Sequence, residues 1–403
     1  MNYIELNNQV IIRDENGKYQ LNKDKEALKS YLEDYIEPKM KKFDNLNDRL
    51  NYLVENDYYS KEILDLYDQY VIDVIYDFIR AKNFKFQSYM SASKFYQNYA
   101  LKSNDGEEIL ENYEDKVLIV ALTLGNGEPK LAKDIAEKLI NQEFQPATPT
   151  FLNAGRARGG KMVSCFLVNV EDSCEGISYA VSSANHLSKI GGGVALNLTR
   201  LRASGESIKG IKGAAGGVMG VAKLLEQSFS YFNQMGARQG AGAVYLNVLH
   251  PDFETLLDSK KINADEKIRL TTLSIGAIIP DKFMELAEKN EKCYAFYPHS
   301  IYQKYGVHLD GIKMDEWYDK LANDDEIEKK EINPRELLTR IAQTQQESGY
   351  PYVVFIDSAN EQHTLKDVGM IKMSNLCCEI FQYQTPSDIK GYGQVSDWGQ
   401  DIS

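Results

Sequence analysis

VSCFLVNVEDSCEGISYAVSSANHLSKIGGGVALNL, residues 163–198, decides the fold class. Residues 163–168 are a short apolar run that reads as a strand, and residues 175–189 carry a helical pattern. Gly191, Gly192 and Gly193 punctuate the chain before a second strand at 194–198. Strand, helix and strand in succession define an α/β layer. The alternation continues outward with a helix at 218–235, strands at 243–248 and 269–280, a helix at 335–346 and a strand at 352–356. Upstream of Pro146 the texture differs. Ile63, Leu64, Tyr67, Tyr70, Val71 and Val74 recur at three and four spacing, which predicts helix. Helices are expected over 24–38, 60–81 and 129–142. The domains are therefore read as a helical one, 1–145, and an α/β one, 146–403.

Composition sets the outer bounds. Hydrophobic residues make up 43% of 403 and charged residues 26%, enough for a sizeable core without disulfide staples. A net charge of −13 disfavours non-specific binding to a nucleic-acid backbone, although local donors can still hold a small nucleotide. The N-terminal residues show no basic stretch followed by an apolar one, and no apolar run approaches the roughly 20 residues of a membrane span. A cytoplasmic protein is expected. Five cysteines, Cys165, Cys174, Cys293, Cys377 and Cys378, are too scattered for a disulfide framework, and no Cys/His cluster suggests a metal.

The chemistry-bearing segment is Ser374-Asn375-Leu376-Cys377-Cys378-Glu379-Ile380. Read as an extended segment, it places Asn375, Cys377 and Glu379 on one side and Cys378 on the other. A carboxylate acceptor beside a thiol suits proton or hydrogen-atom chemistry on a hydroxyl-bearing substrate. Cys165, in the strand read at 163–168, shares a face with Val163 and Leu167.

SNLCCEI resembles the finger-loop motif of ribonucleotide reductase large subunits. FQPATPTFLNAG (144–155), VSCFL (163–167), LSKIGGGVA (187–195), ARQGAGAVYLNVLHPDF (237–253), NADEKIR (263–269) and ESGYPYVVF (347–355) resemble the class Ib branch. The resemblance runs in order along the whole chain, and class Ib motifs disfavour a glycyl-radical reductase. It implies a helical N-terminal domain followed by the first half of a ten-stranded α/β barrel with the finger loop. The second half, expected to continue past Ser403, would be a separate partner.

The implied function is radical reduction of ribonucleoside diphosphates to deoxyribonucleoside diphosphates for DNA synthesis. Cys377 would carry the thiyl radical, Glu379 would accept the 3′-hydroxyl proton and Asn375 would hold the sugar. Cys165 would be one of two reducing thiols, its partner lying just beyond the chain's final Asp-Ile-Ser. Thr148, Ser164 and Gly193, together with Cys165, Asn375 and Glu379, match substrate-holding positions. Asp172 and Arg202 match the effector site, and the segments 201–217 and 236–242 match its two loops, with Arg238 and Gln239 relaying effector identity.

The resemblance further implies deoxynucleoside triphosphate or ATP effectors and a homodimer through the effector face. A small subunit with a dimetal–tyrosyl radical and a glutaredoxin- or thioredoxin-like reductant would complete the system, with no cofactor resident in this chain. The chain alone is expected to be inactive. The alternative is a non-catalytic nucleotide-binding fragment, or the product of an interrupted or decaying gene.

Overall fold

The computed structural model describes residues 2–232 and 240–384, together with the backbone of Asp388–Ile389 and Val395–Asp397. The chain divides into two compact units, Met1–Ser164 and Cys165–Ser403. The division falls later than the change of texture at Pro146, because the helix Thr148–Asn153 still packs with the helical unit.

The first unit is built round the helix Tyr113–Gly125, buried along nearly its whole circumference. Asn112 starts it with a capping box to Asp115, and Asn126 ends it in the left-handed region at φ 43°. The expected helix over 60–81 is two helices, Lys61–Leu64 and Gln69–Ala81. At the break, the Tyr67 hydroxyl donates to the Leu122 carbonyl at 2.9 Å and accepts from the Gly127 N–H at 2.8 Å. Satisfying those groups overrides the local periodicity. Beyond it, Ile72, Ile75, Tyr76 and Ile79 line the buried stripe.

A charged cluster lies inside this unit. The fully buried Glu111 carboxylate accepts from Tyr59 Oη (2.5 Å), Leu101 N (2.8 Å) and Arg156 Nη2 (2.9 Å). Lys116, also fully buried, donates to the Leu152 carbonyl at 3.1 Å. Burial, aided by Arg156 and opposed by Glu111, lowers the Lys116 ammonium to about 7.

In the second unit five strands form one parallel sheet: β1 (Cys165–Asn169), β2 (Gly193–Asn197), β3 (Gly242–Asn247), β4 (Ser274–Ile279) and, after an insertion, β7 (Tyr352–Phe355). Their order is β1-β2-β3-β4-β7, as expected for part of an α/β barrel. The insertion carries an antiparallel pair, β5 (Cys293–Phe296) and β6 (Lys329–Ile332), which the sequence reading did not anticipate. Strand β1 begins at Cys165, so Val163 precedes it, and of the two expected neighbours Leu167 shares the Cys165 face. The run read at 269–280 is a strand only from Ser274. Thr272 N and Leu273 N instead donate to the Glu226 carboxylate, at 2.8 and 3.3 Å. The helix read at 218–235 is Val218–Tyr231 among the described residues.

The two faces of this sheet are covered differently. Val168, Val194, Leu196, Val244, Leu246, Ile275 and Ile279 pack in the large core with the helices. Leu167, Ala195, Ala243, Tyr245, Ile278 and Val354 pack on the opposite side with Met373, Leu376 and Cys378. Alternation along each strand thus sends one set to the helices and the other to the segment containing SNLCCEI. Gly193 makes the approach possible, since a Cβ there would lie 2.8 Å from Leu376 Cδ2.

The buried lysine makes a pH prediction. Its folded value is depressed below its unfolded value of 10.5, so its stability cost is full below about pH 7 and fades as pH rises towards 10.5. Thermal melting of wild type and Lys116→Met between pH 6.5 and about 9 tests this. Wild type should gain stability relative to the variant across that interval, and a constant difference would contradict it.

Candidate active site and nucleotide cleft

The segment 374–380 is a turn, not an extended strand. Cys378 N–H closes it onto the Asn375 carbonyl at 3.2 Å, with Cys378 at φ 66°. The turn breaks the two-residue alternation on which the sequence reading rested. Asn375 is fully buried, and its Oδ1 accepts from Glu379 N and Ile380 N, both at 2.9 Å. The Tyr245 hydroxyl donates to the Asn375 main-chain carbonyl at 2.7 Å, and Ser374 Oγ donates to the Ile380 carbonyl at 2.8 Å.

These bonds bring β1 and the turn together. Asn375 Nδ2 donates to Cys165 Sγ at 3.1 Å, and Cys165 Sγ faces Glu379 Oε1 at 3.8 Å. A thiol held by an amide donor, its proton directed at a carboxylate, can lose a proton and an electron without large rearrangement. Cys377 stands exposed in the turn. Cys378 points the other way, as expected, with Sγ 3.4 Å from the Val353 carbonyl. Gly193 is opposite Cys165 in the β1–β2 register and lies beneath Leu376. Thr148 and Ser164 belong to the first unit, where Thr148 Oγ1 lies 3.2 Å from the Tyr99 hydroxyl.

Asp172 and Arg202 meet in a cleft of about 860 Å³ beyond the ends of β1 and β2. Its size suits a nucleotide-sized ligand. Arg202 Nε is 2.7 Å from Asp172 Oδ2, and Arg202 N donates to Asp172 Oδ1 at 3.1 Å. Lys209, Gly210, Gly216 and Gly217 from the glycine-rich loop also line it. Asp252 pins both ends of that loop by accepting from Ser204 N (3.1 Å) and Val218 N (3.0 Å). Gly217 is required there, because at φ 72° a Cβ would lie 2.3 Å from Asp252 Oδ2. His299, which the sequence reading missed, lines the cleft from the helix Pro298–Tyr305. Burial and then Arg202 hold its imidazole below the usual range. No motif marks it, because the fold brings it there from a distant connection. Arg238 and Gln239 lie outside the described residues.

Comparison with known proteins fits this architecture. Residues 163–394 match the ribonucleotide reductase barrel domain, residues 85–159 its all-alpha domain and residues 3–84 its N-terminal region. The chain belongs to the ribonucleotide reductase family. It is 50% identical over 401 residues to the ribonucleoside-diphosphate reductase subunit alpha of Bacillus subtilis, covering 100% of this chain and 57% of that protein. The Mycoplasma genitalium subunit alpha is 43% identical over 401 residues, 100% of this chain and 55% of that one. The Neurospora crassa large chain is 30% identical over 324 residues, 80% and 34% respectively. The class Ib resemblance thus holds over the whole chain, which spans about half the length of its bacterial relatives. No helix among the described residues is long and apolar enough to cross a membrane.

The turn geometry predicts the effect of removing the Asn375 side chain. Asn375→Ala strips the acceptor from two backbone N–H groups. Hydrogen exchange at Glu379 and Ile380 should accelerate by roughly tenfold, the scale of one hydrogen bond lost. Unchanged exchange there would show that the turn does not depend on the amide.

Proposed function

We propose that the chain is the part of a class Ib ribonucleoside-diphosphate reductase large subunit that holds the radical thiol and the specificity cleft. The supporting observation is the meeting of Cys165, Asn375 and Glu379 beside the exposed Cys377. Cys377, as a thiyl radical, takes the 3′-hydrogen atom of the ribose and later returns it. Glu379 accepts the 3′-hydroxyl proton, and Asn375 keeps the turn and the Cys165 thiol in place. The 2′-hydroxyl leaves as water. Two thiols, Cys165 and one outside this chain, supply two electrons and two protons and end as a disulfide.

The substrate is a ribonucleoside diphosphate, held with help from Thr148, Ser164 and Gly193. The radical originates in a dimetal–tyrosyl centre of a separate small subunit. Asp172 and Arg202 receive a deoxynucleoside triphosphate or ATP, Arg238 and Gln239 report its identity to the substrate, and the effector face pairs two copies. A glutaredoxin- or thioredoxin-like protein re-reduces the disulfide in the cytoplasm. The rest of the barrel that the relatives' greater length implies would join the sheet at β7, an edge among the described residues. A nucleotide-binding fragment without catalysis is the second reading, favoured by a cleft formed wholly within one unit.

Reconstitution separates the two. The chain with radical subunit, reductant and nucleoside diphosphate should form no deoxynucleotide, and adding a polypeptide equivalent to the relatives' remaining length should restore turnover. In the restored complex Cys377→Ser should abolish turnover while nucleotide binding persists. Turnover by the chain alone, or normal turnover by Cys377→Ser, would overturn the proposal. Nucleotide binding without turnover in any combination would favour the second reading.

A further inference from the structure

Behind the cleft, the same two segments that carry Asp172 and Arg202 carry a second ion pair. Glu171 precedes Asp172, Arg200 lies two residues before Arg202, and their side chains meet as a salt bridge. Arg200 also donates through Nε to both oxygens of Asp310, each at 2.9 Å. Asn197 Nδ2 reaches Asp310 at 3.4 Å. On the far side Lys372 Nζ lies 3.9 Å from Asp310 Oδ2. Side-chain exposures of 4% for Arg200, 2% for Asp310 and 8% for Lys372 place these three in the interior, while Glu171, at the cleft end, is 24% exposed.

Lys372 is three residues before Asn375. The residue between Lys372 and the preceding loop is also gripped, since Asn360 accepts from Ile371 N at 2.8 Å and donates to the Ile371 carbonyl at 2.9 Å. Two cations and two anions are arranged in alternating order, so removing one leaves a charge uncompensated. Burial pushes the Asp310 carboxyl up, but Arg200 and Lys372 outweigh it and hold it below the usual range.

We infer that Asp310 and Lys372 are positioning residues that link the nucleotide cleft to the turn bearing Cys377, through Glu171 and Arg200. This rests on the effector reading of the cleft. A nucleotide that engages Asp172 or Arg202 acts on the backbone segments that also hold Glu171 and Arg200. Their pairing is shared with Asp310, and Asp310 is shared with the lead-in to the turn. The route runs through described side chains and does not need residues 233–239.

The test uses two thiols of the whole 403-residue chain as reporters. Cys174 lines the cleft and is exposed, so its alkylation reports occupancy, while that of Cys377 reports the turn. Iodoacetamide labelling is followed by peptide mass spectrometry with and without saturating deoxyadenosine or deoxythymidine triphosphate. In wild type, nucleotide should slow Cys174 and change the Cys377 rate by on the order of fivefold, the low end of allosteric coupling. In Lys372→Met the Cys174 protection should persist with an unchanged midpoint, and the Cys377 response should vanish. Asp310→Asn, checked by circular dichroism, should behave alike and serves if Lys372→Met does not fold. Protection of Cys174 with a wild-type-sized Cys377 response in a folded variant overturns the inference alone, as does protection without any Cys377 response in wild type. No protection of Cys174 by either triphosphate overturns the effector reading and the inference with it.

Discussion

The Asn375 amide is the constraint on which the site depends. Its oxygen accepts two main-chain N–H groups of its own loop, and its nitrogen donates to the sulfur of Cys165 on another element. A fully buried amide is tolerated only when its polar atoms are paired. Here the pairing itself fixes a tight turn against a strand. A carboxylate, an exposed thiol and a second thiol are thereby held near one another by a side chain already committed to the fold. Preorganisation of this kind lets charge move without the loop having to reorganise first.

The sheet supplies the platform for that turn. Its helix-facing side is large and apolar, whereas its other side uses Gly193, Ala195, Ala243 and Gly276 at positions under or near the loop. Small residues there admit Leu376 and the Tyr245 ring, whose hydroxyl then reaches the Asn375 carbonyl. Burial pushes that phenol upward, so it remains a donor at neutral pH. Beyond the ends of β1 and β2 lies the cleft of Asp172 and Arg202, where ligand sites of open α/β sheets are commonly found.

Much of this was legible in the sequence, for identifiable reasons. Strand–helix alternation after Pro146 follows from short apolar runs punctuated by glycine, and the five parallel strands lie where those runs predict, within a few residues except at the N-terminal end of β4. Asn375 and Glu379 are grouped with Cys377 from their spacing, whereas Cys165, more than 200 positions away, joins them in the sequence reading only through family resemblance; in the folded chain its sulfur lies 3.1 Å from Asn375 Nδ2 and 3.8 Å from Glu379 Oε1. The parity argument for SNLCCEI fails because the segment turns over Leu376–Cys378, with the Cys378 N–H bonded to the Asn375 carbonyl and Cys378 at positive φ, which no local propensity announces. The pair β5–β6 was hidden because Lys329–Ile332 is short and charged. His299, Asp310 and Lys372 carry no motif, and only the folded chain brings His299 to the cleft and Asp310 into its buried ion pairs with Arg200 and Lys372.

The central claim is that Cys165, on β1 against the Asn375 turn, and Cys377, within that turn, have different chemical fates. It is tested most directly by one turnover of the reconstituted enzyme without external reductant, followed by acid quench and disulfide mapping. The account predicts one new disulfide, joining Cys165 to a cysteine other than Cys377 and Cys378, with Cys377 recovered as a thiol. A disulfide that contains Cys377, or one that joins Cys165 to Cys378, would contradict it.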